Sequence, residues 1–285
     1  MTSRFTFKGT SLSVNRMGYG AMQLTGPKVW GPPRDKDAAL AVLREAVARG
    51  VDHIDTADFY GPHVSNRLIR EALAPYPKPL TIVTKIGFLR GDDASWYPAQ
   101  TADDLARAVD GNLETLGVDA LDIVNLRLGD SHGPNDASIA APLEALAALQ
   151  RRGLVRHIGL STITLAQYEE ATAIGDIVCV QNHYNLAHRD DDALIDRLAA
   201  DGVAYVPYFP LGGFSPVQST VLSEGATKLN TTPMQVALAW LLQRSPNILL
   251  IPGTSSVEHL RENMAAVDLT LPSDLVTKLD SIGPA

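Results

Sequence analysis

Short, unbroken apolar segments alternate along most of the chain with longer stretches in which apolar residues recur at helical spacing. Met17 to Met22, Val51 to Ile54, Leu80 to Thr84, Leu121 to Leu126, Leu154 to Leu160, Ile177 to Val180, Val203 to Val206 and Ile248 to Ile251 have the length and continuity of strands buried on both faces. Between and after them, Lys36 to Arg49, Asn66 to Ala74, Ala102 to Leu116, Ala137 to Arg152, Leu165 to Ile174, Asp191 to Ala200, Pro233 to Arg244 and Val257 to Ala266 carry the helical period. Eight strand–helix units of this kind predict a (β/α)8 TIM barrel, an α/β fold closed on itself rather than an open sheet. Gly50, Gly153 and Gly202 each fall between a helix and the next strand, where a residue tolerant of positive φ ends the helix.

Ahead of the first strand, Phe5 to Lys8 and Ser11 to Asn15 flank Gly9-Thr10 and predict an N-terminal β-hairpin, placed to plug the barrel's lower end. No Pro/Gly/Ser-rich linker divides residues 1–285, so one domain is expected. The long excursions, Leu24 to Asp35, Phe88 to Thr101, Gly129 to Asp136 and Pro210 to Asn230, follow strands. In a barrel they lie at the C-terminal rim and shape the pocket.

Composition narrows the partners. A formal charge of -8, from 24 basic and 32 acidic side chains, argues against a nucleic-acid surface, which needs clustered Lys and Arg. No segment approaches the roughly 18 apolar residues of a membrane span, and the N-terminus lacks the apolar centre of an export signal. The single cysteine, Cys179, excludes an internal disulfide and fits a reducing compartment. The expectation is a cytoplasmic protein, monomeric or weakly self-associating, acting on a small molecule.

Val51-Asp-His-Ile-Asp-Thr-Ala-Asp-Phe-Tyr-Gly61 puts a carboxylate, Asp55, and a phenol, Tyr60, just beyond a strand, and Thr84-Lys85 ends the next strand with an ammonium. That trio fits acid catalysis by tyrosine. A phenol with a pKa of about 10 is a poor donor at neutral pH, and a nearby cation lowers that value. Lys85 supplies the cation and Asp55 holds it, so Tyr60 is expected to titrate below the ordinary tyrosine value. A competing reading makes Lys85 the Schiff-base nucleophile of an aldolase or lyase, although an adjacent Asp keeps the amine charged.

Other motifs carry less. Gly129-Asp-Ser-His-Gly133 matches a hydrolase nucleophile elbow, but Pro134 and Asn135 delay the helix that an elbow needs at its serine. The seven histidines show no metal-ligand spacing, so no metal is expected. Gly18-Tyr-Gly20-Ala-Met-Gln lacks the third glycine of a Rossmann fingerprint.

Several separated motifs together resemble the aldo-keto reductase superfamily: Ile54-Asp-Thr-Ala-Asp-Phe-Tyr-Gly61, Thr84-Lys85, Ile158-Gly-Leu-Ser161, Val180-Gln-Asn182, Tyr208-Phe-Pro-Leu-Gly212 and Ile251-Pro-Gly-Thr-Ser255 leading to Glu262-Asn263. The resemblance implies the same barrel, a cofactor that is usually NADPH with NADH as the other candidate, and reversible carbonyl reduction. It implies Tyr60 as general acid, with Asp55 and Lys85 tuning it. Ser161 and Gln181 would hold the nicotinamide carboxamide, and Tyr208 would stack on the ring. Phe209, Pro210, Leu211 and Gly213 would cover the pyrophosphate, with Gly20, Met22 and Asp55 completing the inner wall. Gly253, Thr254, Ser255, His259, Glu262 and Asn263 would form the adenosine-phosphate segment, at a helix N-terminus suited to anions.

Two departures from that family matter. Where it usually has a histidine after the fourth strand, Leu121-Asp-Ile-Val-Asn-Leu-Arg127 has an arginine. A guanidinium is permanently charged and can still polarise a carbonyl, with a preference for anionic or phenolate-bearing substrates; the alternative is that Arg127 turns aside into a salt bridge and His132 or water replaces it. The adenosine segment also lacks basic residues at Gly253 and His259, leaving Arg244, Thr254 and Ser255 as candidates for a 2′-phosphate. With Leu211-Gly-Gly-Phe214, the pattern most resembles bacterial reductases of the pyridoxal reductase type. Trp30, Phe88, Trp96 and Tyr184 are the expected aromatic wall, with Arg127, of a pocket for a planar carbonyl compound. A non-catalytic dinucleotide sensor is a third reading.

Overall fold

The computed structural model describes residues 4–130, 133–213 and 219–282. An antiparallel hairpin, β1 (Arg4–Thr6) and β2 (Ser13–Asn15), pairs Phe5 with Val14. There follow β3 (Tyr19–Gly20), α1 (Lys36–Ala48), β4 (His53–Asp55), α2 (Val64–Leu73) and β5 (Thr81–Ile86). A second hairpin, β6 (Phe88–Arg90) with β7 (Trp96–Pro98), precedes α3 (Ala102–Leu116), β8 (Leu121–Arg127), α4 (Ala140–Arg151), β9 (Val155–Ser161), α5 (Leu165–Thr172) and β10 (Ile177–Gln181). The chain continues with α6 (Asp192–Asp201), β11 (Ala204–Tyr205), α7 (Thr220–Leu229), α8 (Pro233–Arg244), α9 (Val257–Ala265) and α10 (Ser273–Asp280).

Seven strands form one sheet in the order β11-β10-β9-β8-β5-β4-β3, every pair parallel. Residues 248–253 close it: parallel bridges join Ile248 to Tyr205 on one edge, and Leu250 to Met17 and Gly253 to Gly20 on the other. The eighth strand thus exists as bridges rather than a full ladder, consistent with Pro252 offering no N–H. The predicted barrel is present. Gly50, Gly153 and Gly202 have φ of 91°, 80° and 71°, as a helix-ending residue there requires.

Alternation along the strands sorts the core into two layers. Ile54, Ile82, Val124, Leu126, Leu160 and Val180 pack outward against the helices, while Val83, Ile123, Cys179, Val206, Leu249 and Ile251 fill the barrel. Phe7 and Val14 of the N-terminal hairpin join the inner set, backed by Phe5 and Leu12, so the hairpin plugs the lower end as expected. Burying each such side chain stabilises the fold by about 1.5–3 kcal/mol. Three elements depart from the sequence reading: β6–β7 lies in the excursion after β5, α7 lies in the one after β11, and α10 follows the last unit. The Ser/Thr-rich α7 is capped by Ser219 and buries only Leu222, Gly225 and Ala226, a weak stripe in the sequence. Among the described residues no helix is long and apolar enough to cross a membrane.

Candidate active site

Period-two alternation and the parallel register carry one set of side chains to the barrel mouth. Gly20 pairs with Asp55, Lys85 with Asn125, Arg127 with Ser161, and Ser161 with Gln181. Lys85 Nζ donates to Asp55 Oδ1 at 2.6 Å and to the Thr56 carbonyl at 3.1 Å. The other Asp55 oxygen accepts from Gln181 Nε2 at 2.8 Å. With Asp55 3% and Lys85 5% exposed, this is a buried, internally compensated ion pair. Such a pair contributes little net stability but fixes both groups in place.

Tyr60 sits beside this pair, 7% exposed, with Lys85 Nζ 5.2 Å from its ring centroid. The expected downward pull of Lys85 on Tyr60 is present but outweighed, so the phenol lies above rather than below its ordinary value. Burial, the largest influence, raises it above 10.0; the Lys85 charge works against that rise, Asp55 adds to it, and Arg127 gives a smaller downward pull. Lys85 itself is raised above its ordinary value: burial is the largest single influence and acts downward, but Asp55 and Tyr60 together outweigh it.

Arg127 points into the same cavity. Its Nη1 donates to the Leu128 carbonyl and its Nη2 to the Asp130 carbonyl at 3.0 Å, and its guanidinium carbon lies 4.9 Å from the Phe88 ring centroid. Among the described residues its hydrogen bonds go to main-chain carbonyls, and the Asp130 carboxylate is near enough to favour its charged form. Arg127 therefore keeps its charge at the mouth, although burial lowers its pKa. His132, the alternative occupant, and Ser131 of the elbow-like motif lie outside the described residues; α4 begins only at Ala140, well past the position an elbow helix requires.

A cavity of about 680 Å³ opens above these groups, lined by Met22, Lys28, Val29, Phe59, Phe88, Ala94, Trp96 and Phe209 as well as by Tyr60, Lys85, Arg127, Ser161, Gln181 and Tyr208. Phe88 and Trp96 are where expected. Trp30 is not: it stands behind Arg90, and Lys28 and Val29 form that side of the wall. Tyr184 is also misplaced, being 0% exposed, stacked on Trp240 and hydrogen-bonded to Asp192 at 2.5 Å. Its turn away from the barrel follows from partners on α6 and α8 that strand position alone does not reveal. Phe59, edge-on to Tyr60 and Trp96 and tilted against Phe88 in one cluster, was missed. Its place beside Tyr60 in a conspicuously aromatic motif was the available signal.

A second groove of about 380 Å³ continues from this cavity, sharing Met22, Tyr60, Gln181, Tyr208 and Phe209. Gly20, Asp55, Pro210, Leu211, Gly213, Gly253, Thr254, His259, Glu262 and Asn263 line it, with Gln23, Met234, Ile251 and Pro252. Gln181 Oε1 is buried there without a hydrogen-bond partner, a cost that an amide donor from a ligand would remove. The Tyr208 ring is backed by His183, stacked at 5.5 Å, and His183 by His188 at 4.0 Å. These features fit a nicotinamide carboxamide and its ring, with phosphates toward the N-terminus of α9, capped by Ser256.

Two expected phosphate contacts fall elsewhere. Ser255 lines a neighbouring cavity with Lys28 and Arg34. Arg244, at the far end of α8 from the groove-lining Met234, is committed to Asp192 at 3.2 Å and Asp196 at 2.9 Å. Met234 and Arg244 are ten positions apart on α8, a rise of about 15 Å.

The family model for the aldo/keto reductase family matches residues 16–284. The chain belongs to the aldo/keto reductase family. It is 64% identical over 279 residues to pyridoxine 4-dehydrogenase of Escherichia coli K12, covering 97% of this chain and 98% of that relative. It is 39% identical to an uncharacterized oxidoreductase of Schizosaccharomyces pombe, across 98% of this chain and 90% of the other. Among solved structures, a thermostable aldo-keto reductase in complex with the inhibitor epalrestat superposes with a TM-score of 0.83 at 30% identity, covering 99% of this chain and all (100%) of that one. An aldo-keto reductase from Klebsiella pneumoniae in complex with NADPH shares the fold, with a TM-score of 0.82 at 22% identity across 100% of this chain and 96% of the other. As an aldo/keto reductase the protein is an oxidoreductase.

Proposed function

We propose that this aldo/keto reductase uses NADPH to reduce an aldehyde or ketone to an alcohol, with pyridoxal to pyridoxine as its reaction. The observation that carries the reading is the Asp55–Lys85–Tyr60 cluster at the floor of an aromatic cavity that continues into a groove running to the N-terminus of α9. The near-full-length identity to pyridoxine 4-dehydrogenase supports the substrate, and an aromatic lining of Phe59, Phe88 and Trp96 suits a pyridine aldehyde.

When bound, the dihydronicotinamide supplies a hydride to the carbonyl carbon. Tyr60 delivers the proton to the carbonyl oxygen; burial keeps the phenol protonated at neutral pH, and the Lys85 charge stabilises the phenolate left behind. Asp55 anchors Lys85 and Gln181, leaving Gln181 Oε1 and the Ser161 hydroxyl for the carboxamide. Arg127 directs its remaining donors at the oxygen on which negative charge develops. In pyridoxal the phenolate beside the aldehyde would meet the same guanidinium. The Lys85–Asp55 pair weighs against a Schiff-base aldolase, because the amine is held protonated. The proposal takes the protein to be cytoplasmic and monomeric or weakly self-associating, and its single, buried, free thiol Cys179 suits a reducing compartment.

The test is absorbance-monitored oxidation of NADPH and of NADH with pyridoxal and a panel of aliphatic and aromatic aldehydes. NADPH-dependent turnover of pyridoxal is expected. No turnover of any carbonyl with either cofactor would overturn the reading.

A further inference from the structure

Two walls of the substrate cavity come from different parts of the chain, and one side chain outside the cavity lining ties them together. The loop after β3 supplies Lys28 and Val29, and the β6–β7 hairpin supplies Phe88, Ala94 and Trp96. Arg90 Nη1 donates to the Val29 carbonyl at 2.7 Å and Nη2 to the Lys28 carbonyl at 2.9 Å. The same guanidinium closes its own hairpin, with Nη2 to the Ala94 carbonyl at 2.9 Å and Nε to the Ser95 carbonyl at 3.3 Å. Its carbon lies 3.8 Å from the Trp96 ring centroid and 5.4 Å from that of Trp30. Four carbonyls and two indoles are thus organised around one planar cation.

The loop it grips is strained. Lys28 has φ 61° and ψ 25°, and Val29 has φ 58°. A β-branched residue in the left-handed region is an outlier that persists only when its surroundings hold it. The Val29 carbonyl also accepts from the Gly61 amide at 3.2 Å, and Gly31 donates to the Gly61 carbonyl at 2.9 Å. Gly61 directly follows Tyr60, so the grip of Arg90 reaches the segment that seats the phenol as well as the wall opposite it.

We propose that Arg90 is a positioning residue for substrate specificity: it staples the 28–29 loop to the β6–β7 hairpin and thereby fixes the width of the slot that takes planar aromatic carbonyls. The proposal deepens the functional reading above and rests on it. Arg90 touches neither the proposed reacting atoms nor the dinucleotide groove, so its loss acts through the slot.

The experiment measures KM and kcat of Arg90→Gln and Arg90→Lys for pyridoxal, for benzaldehyde and for a small aliphatic aldehyde such as propanal, with NADPH affinity measured separately by fluorescence titration. KM for the two aromatic aldehydes should rise about tenfold, since loosened positioning costs that much or more. The KM for propanal and the NADPH Kd should stay within about twofold, because neither depends on the slot. Arg90→Lys should fall between wild type and Arg90→Gln, and millimolar methylguanidine should partly restore aromatic KM in Arg90→Ala. If Arg90→Gln fails to fold, Arg90→Lys alone decides the matter by the same ratio of aromatic to aliphatic KM. An unchanged ratio, with wild-type turnover intact, overturns this proposal alone; absence of turnover in the wild-type protein overturns it together with the functional reading.

Discussion

Lys85 and Arg127 end neighbouring strands of the sheet, both point into the barrel mouth, and the fold holds them in opposite ways. Lys85 is neutralised by Asp55 at 2.6 Å, whereas Arg127 rests on two main-chain carbonyls and an aromatic face. The first is a rigid local dipole whose field acts over a short range. The second leaves net positive charge at the point where an alkoxide would form. A lysine there would risk losing its proton under the same burial; a guanidinium, even with its pKa lowered, stays charged. Under the proposed mechanism, the difference assigns the ion-paired cation to tuning the acid and the carbonyl-held cation, with Asp130 acting on it only electrostatically, to receiving charge.

Removing the group on which both cations act gives the largest effect. Tyr60→Phe should lower kcat about 10³-fold, within the usual range for general acid catalysis, while NADPH Kd stays within about twofold. Retention of most of the wild-type turnover would mean that water or another side chain delivers the proton, and the comparison would lose its object.

The two cations themselves should separate cleanly when exchanged for methionine. Lys85→Met strands the buried Asp55 carboxylate and should cost about 3–5 kcal/mol of stability in denaturant unfolding. Arg127→Met leaves no buried charge behind, so its stability should move by less than about 1 kcal/mol. Its kcat/KM for pyridoxal should fall about 10²-fold, as for the loss of one oxyanion donor. Equal stability losses in the two variants would contradict the difference drawn here. Because the folded Lys85 pKa is raised, its stabilising contribution is present below the unfolded value of about 10.4 and is lost only as pH climbs through the folded one. The stability gap between wild type and Lys85→Met should therefore be flat between about pH 6 and 9.

A finer test uses the pH dependence of carbonyl reduction, which under the proposed mechanism requires protonated Tyr60. Burial sets the phenol above the ordinary tyrosine value, so the rate should hold through neutral pH and decline only in the alkaline range. Deleting either cation removes a downward influence and moves that decline to higher pH. The larger move belongs to Lys85→Met, since its charge acts on Tyr60 more strongly than that of Arg127. A larger move for Arg127→Met would reverse the assignment of tuner and charge receiver.

The inner ring was legible in the sequence because parallel strands leave little freedom. Once the apolar runs are placed, alternation fixes that Asp55, Lys85, Arg127, Ser161 and Gln181 face inward, and the register brings them level. The outer wall was not legible. Val29 occupies its place through a backbone conformation that no residue type announces, and Trp96 reaches the cavity through a hairpin hidden in an excursion. Tyr184 lies only three residues beyond Gln181 yet faces the helices, because after a strand ends the period no longer holds. The sign of the Tyr60 shift failed for a different reason: charge is countable from sequence, but desolvation depends on how tightly Phe59 and the rest of the wall close around the ring.

Arg244 extends the comparison to a third cation, and the smallest effect is expected from it. Two carboxylates compensate it, as one does Lys85, but it lies a helix length from the groove and its pairs are partly exposed. Exposed pairs of this kind contribute about 0.2–1 kcal/mol, so Arg244→Gln should lower stability by no more than about 1 kcal/mol. Its ratio of NADPH to NADH affinity should be unchanged within about twofold, because a 2′-phosphate over α9 lies beyond its reach. His259→Ala, by contrast, removes a groove-lining side chain in the first turn of α9 and should shift that ratio further than Arg244→Gln does. A collapse of NADPH preference in Arg244→Gln would place the adenosine end of the cofactor beneath α8 instead.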